Sequence, residues 1–89
     1  MKKYHRLVWH VSNIEHIGRH GVSPDEVEQA IFSTSCYIRR GKGEDIYYVF
    51  GHAEGGRHLF IVVHDLHGGV GYVVTARDMS DKERNLYKR

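Results

Sequence analysis

IYYVFGHAEGGRHLFIVVHDLHGGVGYVVTAR, residues 46–77, is the stretch whose reading decides the fold. Three runs inside it, IYYVFGH (46–52), RHLFIVVHD (57–65) and VGYVVTAR (70–77), are rich in β-branched and aromatic residues. Such residues suit a pleated, half-buried surface. Between the runs lie AEGG and LHGG, glycine turns short enough to close hairpins. Three consecutive antiparallel strands are therefore expected.

Working outward toward the N-terminus, VSPDEVEQAIF (22–32) carries a dense set of helix-start signals. Ser23 stands at N-cap with Glu26 three residues on, the spacing of a capping box. Pro24 falls at the first helical position, where its missing N–H costs nothing. Val22 and Val27 form a hydrophobic staple, and Val27, Ala30 and Ile31 share a face. A helix is expected at about 24–33. Before it, SNIEHIGRHG (12–21) reads as a short helix capped by Ser12 or Asn13, with Ile14 and Ile17 on one face and Gly21 at its stop. The opening YHRLVWHV (4–11) reads as a strand, and RRGKGED (39–45) as a glycine-rich basic loop.

Toward the C-terminus, Met79 can staple, Ser80 can cap and Glu83 follows three residues later, so a last helix is expected over roughly 81–87. The order is strand, helix, helix, three antiparallel strands, helix. This is an α+β fold: a small antiparallel sheet of about four strands with helices packed on one face, in a single domain spanning 1–89.

Bulk properties bound the function. The chain has 89 residues, 40% hydrophobic and 27% charged, ordinary for one globular domain. Its formal charge is +2, with 7 basic against 6 acidic residues in 1–45 and 6 against 5 in 46–89, so any basic patch must come from folding. No run approaches the roughly 20 apolar residues of a membrane span, no signal-peptide pattern opens the chain, and a single cysteine fits a reducing compartment. A cytoplasmic location is expected. Histidine is over-used: there are eight, so the net charge rises by several units as pH falls from about 7 to about 5.5.

His16 and His20 are spaced for one helical face, and His64 and His67 form a second close pair, but no cysteine or carboxylate cluster completes a metal site. No metal and no cofactor is expected. Cys36 reads as a small buried hydrophobe. GKGE at 41–44 lacks the spacing of a phosphate loop, yet Arg39, Arg40 and Lys42 there, and Lys82 near the end, are candidate RNA-backbone contacts.

The final strand and helix gather the richest chemistry. Ser80, Arg84 and Tyr87 fall on one helical face, Glu83 and Tyr87 are one turn apart, and Arg77 ends a strand. Arg57 begins the middle strand, so a suitable antiparallel register brings it near Arg77. Cleaving RNA without a metal requires the 2′-hydroxyl deprotonated, the phosphorane charge stabilised and the 5′-oxygen protonated. Guanidinium groups suit the second task; glutamate, histidine or tyrosine suit the others. The competing reading is that Arg77 and Arg84 only pair with Asp78, Asp81 and Glu83 at the surface.

Trp9, Asn13, RHGVSPDEVEQAIF (19–32), Gly51 with GRHLFIVV (56–63) and TARDMSDKERNLY (75–87) occur in the order of a known family. On these residues the chain resembles the BrnT toxins of bacterial type II toxin–antitoxin systems. Asn13, Arg19, His20, Gly21 and Val22 match one family motif; Thr75, Ala76, Arg77, Glu83, Arg84 and Tyr87 match another. The family's frequent Trp-Asp pair is Trp9–His10 here. The resemblance implies a RelE-like ribonuclease fold and an RNA endonuclease that halts translation. It also implies a DNA-binding antitoxin as partner; separately, the open edge of a small sheet invites pairing, in a homodimer or a heterocomplex. It points to Arg57 and Arg77 for phosphate and transition-state charge, Arg84 for the RNA backbone, and Glu83 or Tyr87 for protons. The alternative is a non-catalytic binding module related to the toxins.

Overall fold

The computed structural model describes residues 2–88. Strand β1 (Arg6–Val8) leads into helices α1 (Val11–Gly18) and α2 (Pro24–Phe32). Strands β2 (Tyr37–Arg40), β3 (Ile46–His52), β4 (His58–His67) and β5 (Val70–Asp78) follow, and α3 (Asp81–Tyr87) ends the chain. The three central runs form β3, β4 and β5, paired antiparallel in sequence. The α2 and α3 capping boxes both form: Ser23 accepts from the Glu26 amide and Ser80 from the Glu83 amide, each at 3.2 Å.

The sheet has five strands, in the order β1-β5-β4-β3-β2, not about four. It is also mixed, because β1 runs parallel to β5. The additional strand is β2, and it takes in Arg39 and Arg40, which the sequence suggested as loop. Its residues are half-buried to exposed, as befits a charged edge strand, so it lacks the apolar alternation that marks strands buried on one face. At the other edge β1 is only three residues long, because Trp9 and His10 already turn the chain into α1.

The N-cap of α1 also differs from expectation. His10 occupies it, and Asn13 reaches back from the third helical position to accept from the His10 amide at 2.7 Å. The Asn13 side-chain NH2 donates to the carbonyls of Val8 (3.0 Å) and Val73 (3.1 Å). One buried amide thus ties α1 to β1 and β5, satisfying polar groups that would otherwise be orphaned in the core. Ile17 is buried as expected, whereas Ile14 is exposed.

One sheet face packs on α1 and α2. Val49, Leu59, Ile61, Val63, Val73 and Ala76 meet Ile17, Val27, Ala30 and Ile31 there. Full burial of such aliphatic side chains is worth about 1.5–3 kcal/mol each. Gly51 allows α2 to approach β3, since a Cβ at this position would lie 2.7 Å from the Ala30 carbonyl oxygen. The pairing of β4 with β5 steps at Val62/Val63, where Val62 faces Thr75, Val63 faces Val73, and Val74 is an extra, bulged residue.

The helices do not all share one face. Tyr87 packs against His52 and His58, which alternate away from the buried Gly51 and Leu59. Helix α3 therefore covers one end of the face opposite α1 and α2.

Candidate functional site

On that second face, alternation aligns Tyr48, Phe50 and His52 of β3 with His58 and Phe60 of β4 and Arg77 of β5. Ring centroids of Tyr48 and Phe60, and of Phe50 and Phe60, are 5.2 Å apart. Arg77 lies over this aromatic surface, its guanidinium carbon 4.3 Å from the Phe60 centroid. Arg39, at the sheet edge, sits 5.4 Å from Tyr48 and 5.6 Å from Phe50. A cleft of about 640 Å³ opens between this face and α3, lined by Ser35, Tyr37, Arg39, Phe50, Glu83, Leu86 and Tyr87.

Arg77 is positioned by Glu83. Its two terminal nitrogens donate to the two carboxylate oxygens at 2.8 and 3.0 Å, and one of them also donates to the Asp78 carbonyl at 3.0 Å. Glu83 is fixed in turn by the capping box, accepting from the Ser80 amide at 2.8 Å. The Arg77 fork, with the Ser80 amide second, holds the Glu83 carboxyl below its ordinary range. Glu83 is thus an ionised orienting group, not a proton donor. Among the described residues the Arg77 Nε–H makes no hydrogen bond, so the guanidinium keeps a donor for a ligand.

Tyr87 is anchored just as firmly. Its hydroxyl donates to the Ser35 carbonyl at 3.1 Å and lies 3.0 Å from His52 Nδ1. With the hydroxyl proton directed at Ser35, the oxygen accepts from His52, which fixes that imidazole's tautomer. His58 stands directly across from His52, with ring centroids 5.9 Å apart, and its ring is 5.7 Å from Tyr87. Burial, helped by the positive charges of Arg84 and Lys88, lowers the His58 pKa from its usual value. His58 is therefore a neutral imidazole at neutral pH, able to accept a proton.

The expected site residues separate according to face. Arg77, Glu83, Arg84 and Tyr87 gather around the second face and α3, with Arg39 on the far side of the cleft. Lys82 is exposed on α3. Arg40 alternates to the opposite side of β2, 5.8 Å from the Tyr47 ring, and Lys42 lies in the β2–β3 turn, its amide donating to the Tyr48 hydroxyl at 3.2 Å.

Arg57 departs most from expectation. It joins the helix side of the sheet, donating to Asp78 at 2.7 and 3.2 Å and to Glu26 at 3.1 and 3.2 Å. It also donates to the Gly21 carbonyl at 2.8 Å. Arg77 and Asp78 are consecutive strand residues pointing to opposite faces. Arg57 follows Asp78, so it cannot share a phosphate with Arg77.

His52 and His58 were the residues that sequence reasoning did not single out. Their signal was present: His52 and His58 directly flank the five residues AEGGR (53–57), so a hairpin closed there sets them side by side. Cys36 is half-buried and donates to the Ile31 carbonyl at 3.3 Å; burial pushes its thiol pKa up, as suits an inert packing residue. Among the described residues, no three His, Cys, Asp or Glu side chains gather in a metal-holding arrangement, and no helix is long and apolar enough to cross a membrane. A second cleft of about 540 Å³, beside α2, is lined by Asp25, Glu28 and Glu54 among others, a charge that repels phosphate.

This architecture has a solved counterpart. The crystal structure of the Brucella abortus ribonuclease toxin BrnT superposes with a TM-score of 0.67, covering 85% of this chain and 97% of that one at 18% sequence identity. The fold is BrnT-like. No family model matches the sequence, and no curated protein matches it. The BrnT-like fold bears out the family resemblance at the level of architecture.

Proposed function

We propose that this chain is the toxin of a type II toxin–antitoxin system, a cytoplasmic endoribonuclease that cleaves RNA at the second sheet face without a metal ion. The carrying observation is the convergence there of Arg77, oriented by Glu83, with the Tyr87–His52–His58 cluster, beside a cleft whose lining includes Arg39, which makes no ion pair among the described residues. Neutral His58 takes the proton of the 2′-hydroxyl. The 2′-oxygen then bonds to phosphorus, and the bond from phosphorus to the 5′-oxygen breaks. Tyr87 or His52 returns a proton to the leaving oxygen, giving a 2′,3′-cyclic phosphate and a 5′-hydroxyl. Arg77 stabilises the charge that builds on the phosphorane, and Arg84, with Lys82 and Arg39, holds the RNA backbone. Arg57 takes no part in this scheme; it braces the fold. The partner is a DNA-binding antitoxin, for which the edge strands β1 and β2 are open to pairing.

The test is incubation of purified protein with RNA in excess chelator, followed by analysis of the product ends. Cyclic phosphate and 5′-hydroxyl ends are expected. Intact RNA in the presence of folded protein would return the chain to the reading of a non-catalytic binding module.

A further inference from the structure

The cleft beside α3 has a shape and chemistry that the cleavage scheme does not use. Two large apolar residues that line it stay open, Tyr37 at 57% exposure and Leu86 at 56%. Phe50 is the floor, its ring centroid 6.1 Å from that of Tyr37. Large aromatic and aliphatic groups left open in one cleft lose their contact with water when an apolar body enters it. Its polar lining consists of the Arg39 guanidinium, the Ser35 and Tyr87 hydroxyls and the Glu83 carboxylate, the last held by Arg77. At about 640 Å³ the cleft falls within the roughly 300–1,000 Å³ typical of small-molecule sites.

We infer that this cleft is a stacking slot for one unpaired nucleobase, so that the substrate is single-stranded RNA. The inference rests on the ribonuclease reading and deepens it. A nucleobase offers π-faces to Tyr37 and Leu86 and a polar edge to the polar lining, while its phosphate meets Arg39. Stacking on aromatic side chains together with basic contacts to the backbone is how proteins hold single strands. A base inside a duplex is stacked on both faces and cannot enter. Charge favours this occupant through Arg39: the Glu83 carboxylate that also lines the cleft is matched by Arg77, whereas Arg39 makes no ion pair among the described residues and is left to attract a phosphodiester. The slot opens toward Tyr87, so a base seated in it sets its sugar and phosphate beside the reacting groups.

Binding is measured separately from cleavage, by fluorescence anisotropy with a short 2′-O-methyl oligonucleotide, which lacks the attacking hydroxyl. The full chain is compared with Tyr37→Ala, Tyr37→Trp and Leu86→Ala. The single strand should bind at least about tenfold more tightly than the same sequence in a duplex, and Tyr37→Ala should lose about tenfold while Tyr37→Trp restores affinity. This pattern supports the slot even where RNA is not cleaved, in which case only the nuclease reading fails. Equal affinity for single strand and duplex overturns the slot. So does an unchanged affinity in Tyr37→Ala and Leu86→Ala, which would assign the cleft to another occupant such as a partner protein's side chain.

Discussion

Arg57 and Arg77 invite comparison, because both end up next to Asp78 and do opposite things. Arg57 spends its guanidinium on two carboxylates and the Gly21 carbonyl, joining the α1–α2 corner to the end of β5. Arg77 is gripped by one carboxylate, lies over Phe60 and, among the described residues, keeps Nε–H free beside an open cleft. An arginine surrounded by acids on the packed side of a sheet is a fastener. An arginine aimed by a single acid over a half-buried aromatic face keeps a donor for something else, which is the role proposed for Arg77. The ion pairs are equally short in the two places, so salt-bridge geometry alone would not have told them apart; the side of the sheet does.

The comparison can be broken most decisively at Arg77. Replacing it with methionine should lower RNA cleavage by about 100- to 1,000-fold, as expected for loss of one preorganised donor to a transition state. Circular dichroism should show an intact fold, because a half-exposed ion pair contributes little to stability. Full cleavage by folded Arg77→Met would remove Arg77 from the chemistry.

Arg57→Met should do the reverse. Stability measured by urea unfolding should fall by about 2 kcal/mol, after allowance for solvent screening of these partly exposed ion pairs. Cleavage per folded molecule should stay within about twofold of the parent, as for a substitution outside the reacting shell. A large loss of cleavage at unchanged stability would place Arg57 in the site after all.

A smaller effect concerns pH. Glu26, Asp78 and Glu83 all have pKa values lowered in the folded chain: the Ser23 amide is the main cause for Glu26, Arg57 for Asp78 and Arg77 for Glu83. The unfolded chain therefore binds more protons through the acid range. The stability they contribute is fully present above the ordinary carboxylate range, about pH 4 to 4.5, and is lost as pH falls through the folded values. Urea unfolding between about pH 6 and 3 should show this decline, and Arg57→Met should make it shallower. His58 shifts in the same sense: its neutral form survives somewhat below the usual imidazole midpoint, so the acid limb of the cleavage profile should fall below about 6.5.

Much of the fold was legible because its signals are local. Two capping boxes, a staple and two glycine turns each act within a few residues, and they place α2, α3 and the β3–β5 meander. What escaped depends on distant partners. Strand β2 carries charge because it is an edge, and β1 runs parallel because its neighbour comes from the far end of the chain. The site was partly legible: Arg77, Glu83, Arg84 and Tyr87 lie together. The sequence left Arg57's approach to Arg77 open, although its side was available, since it shares parity with Leu59, Ile61 and Val63, all buried. The same counting fails for Arg77. From Val73, a step of four positions returns to the packed side, yet Arg77 emerges on the other.

Val74 is the reason. As a surplus residue in β5 it advances the strand by half a pleat, which keeps Val73 and Ala76 inward and turns Arg77 outward. Without that offset the guanidinium would be driven toward the hydrophobic interior, and no choice of side chain at position 77 could recover its place. The reach of the molecule toward an anion is thus set by a single unit of chain length, written in a valine that touches nothing reactive.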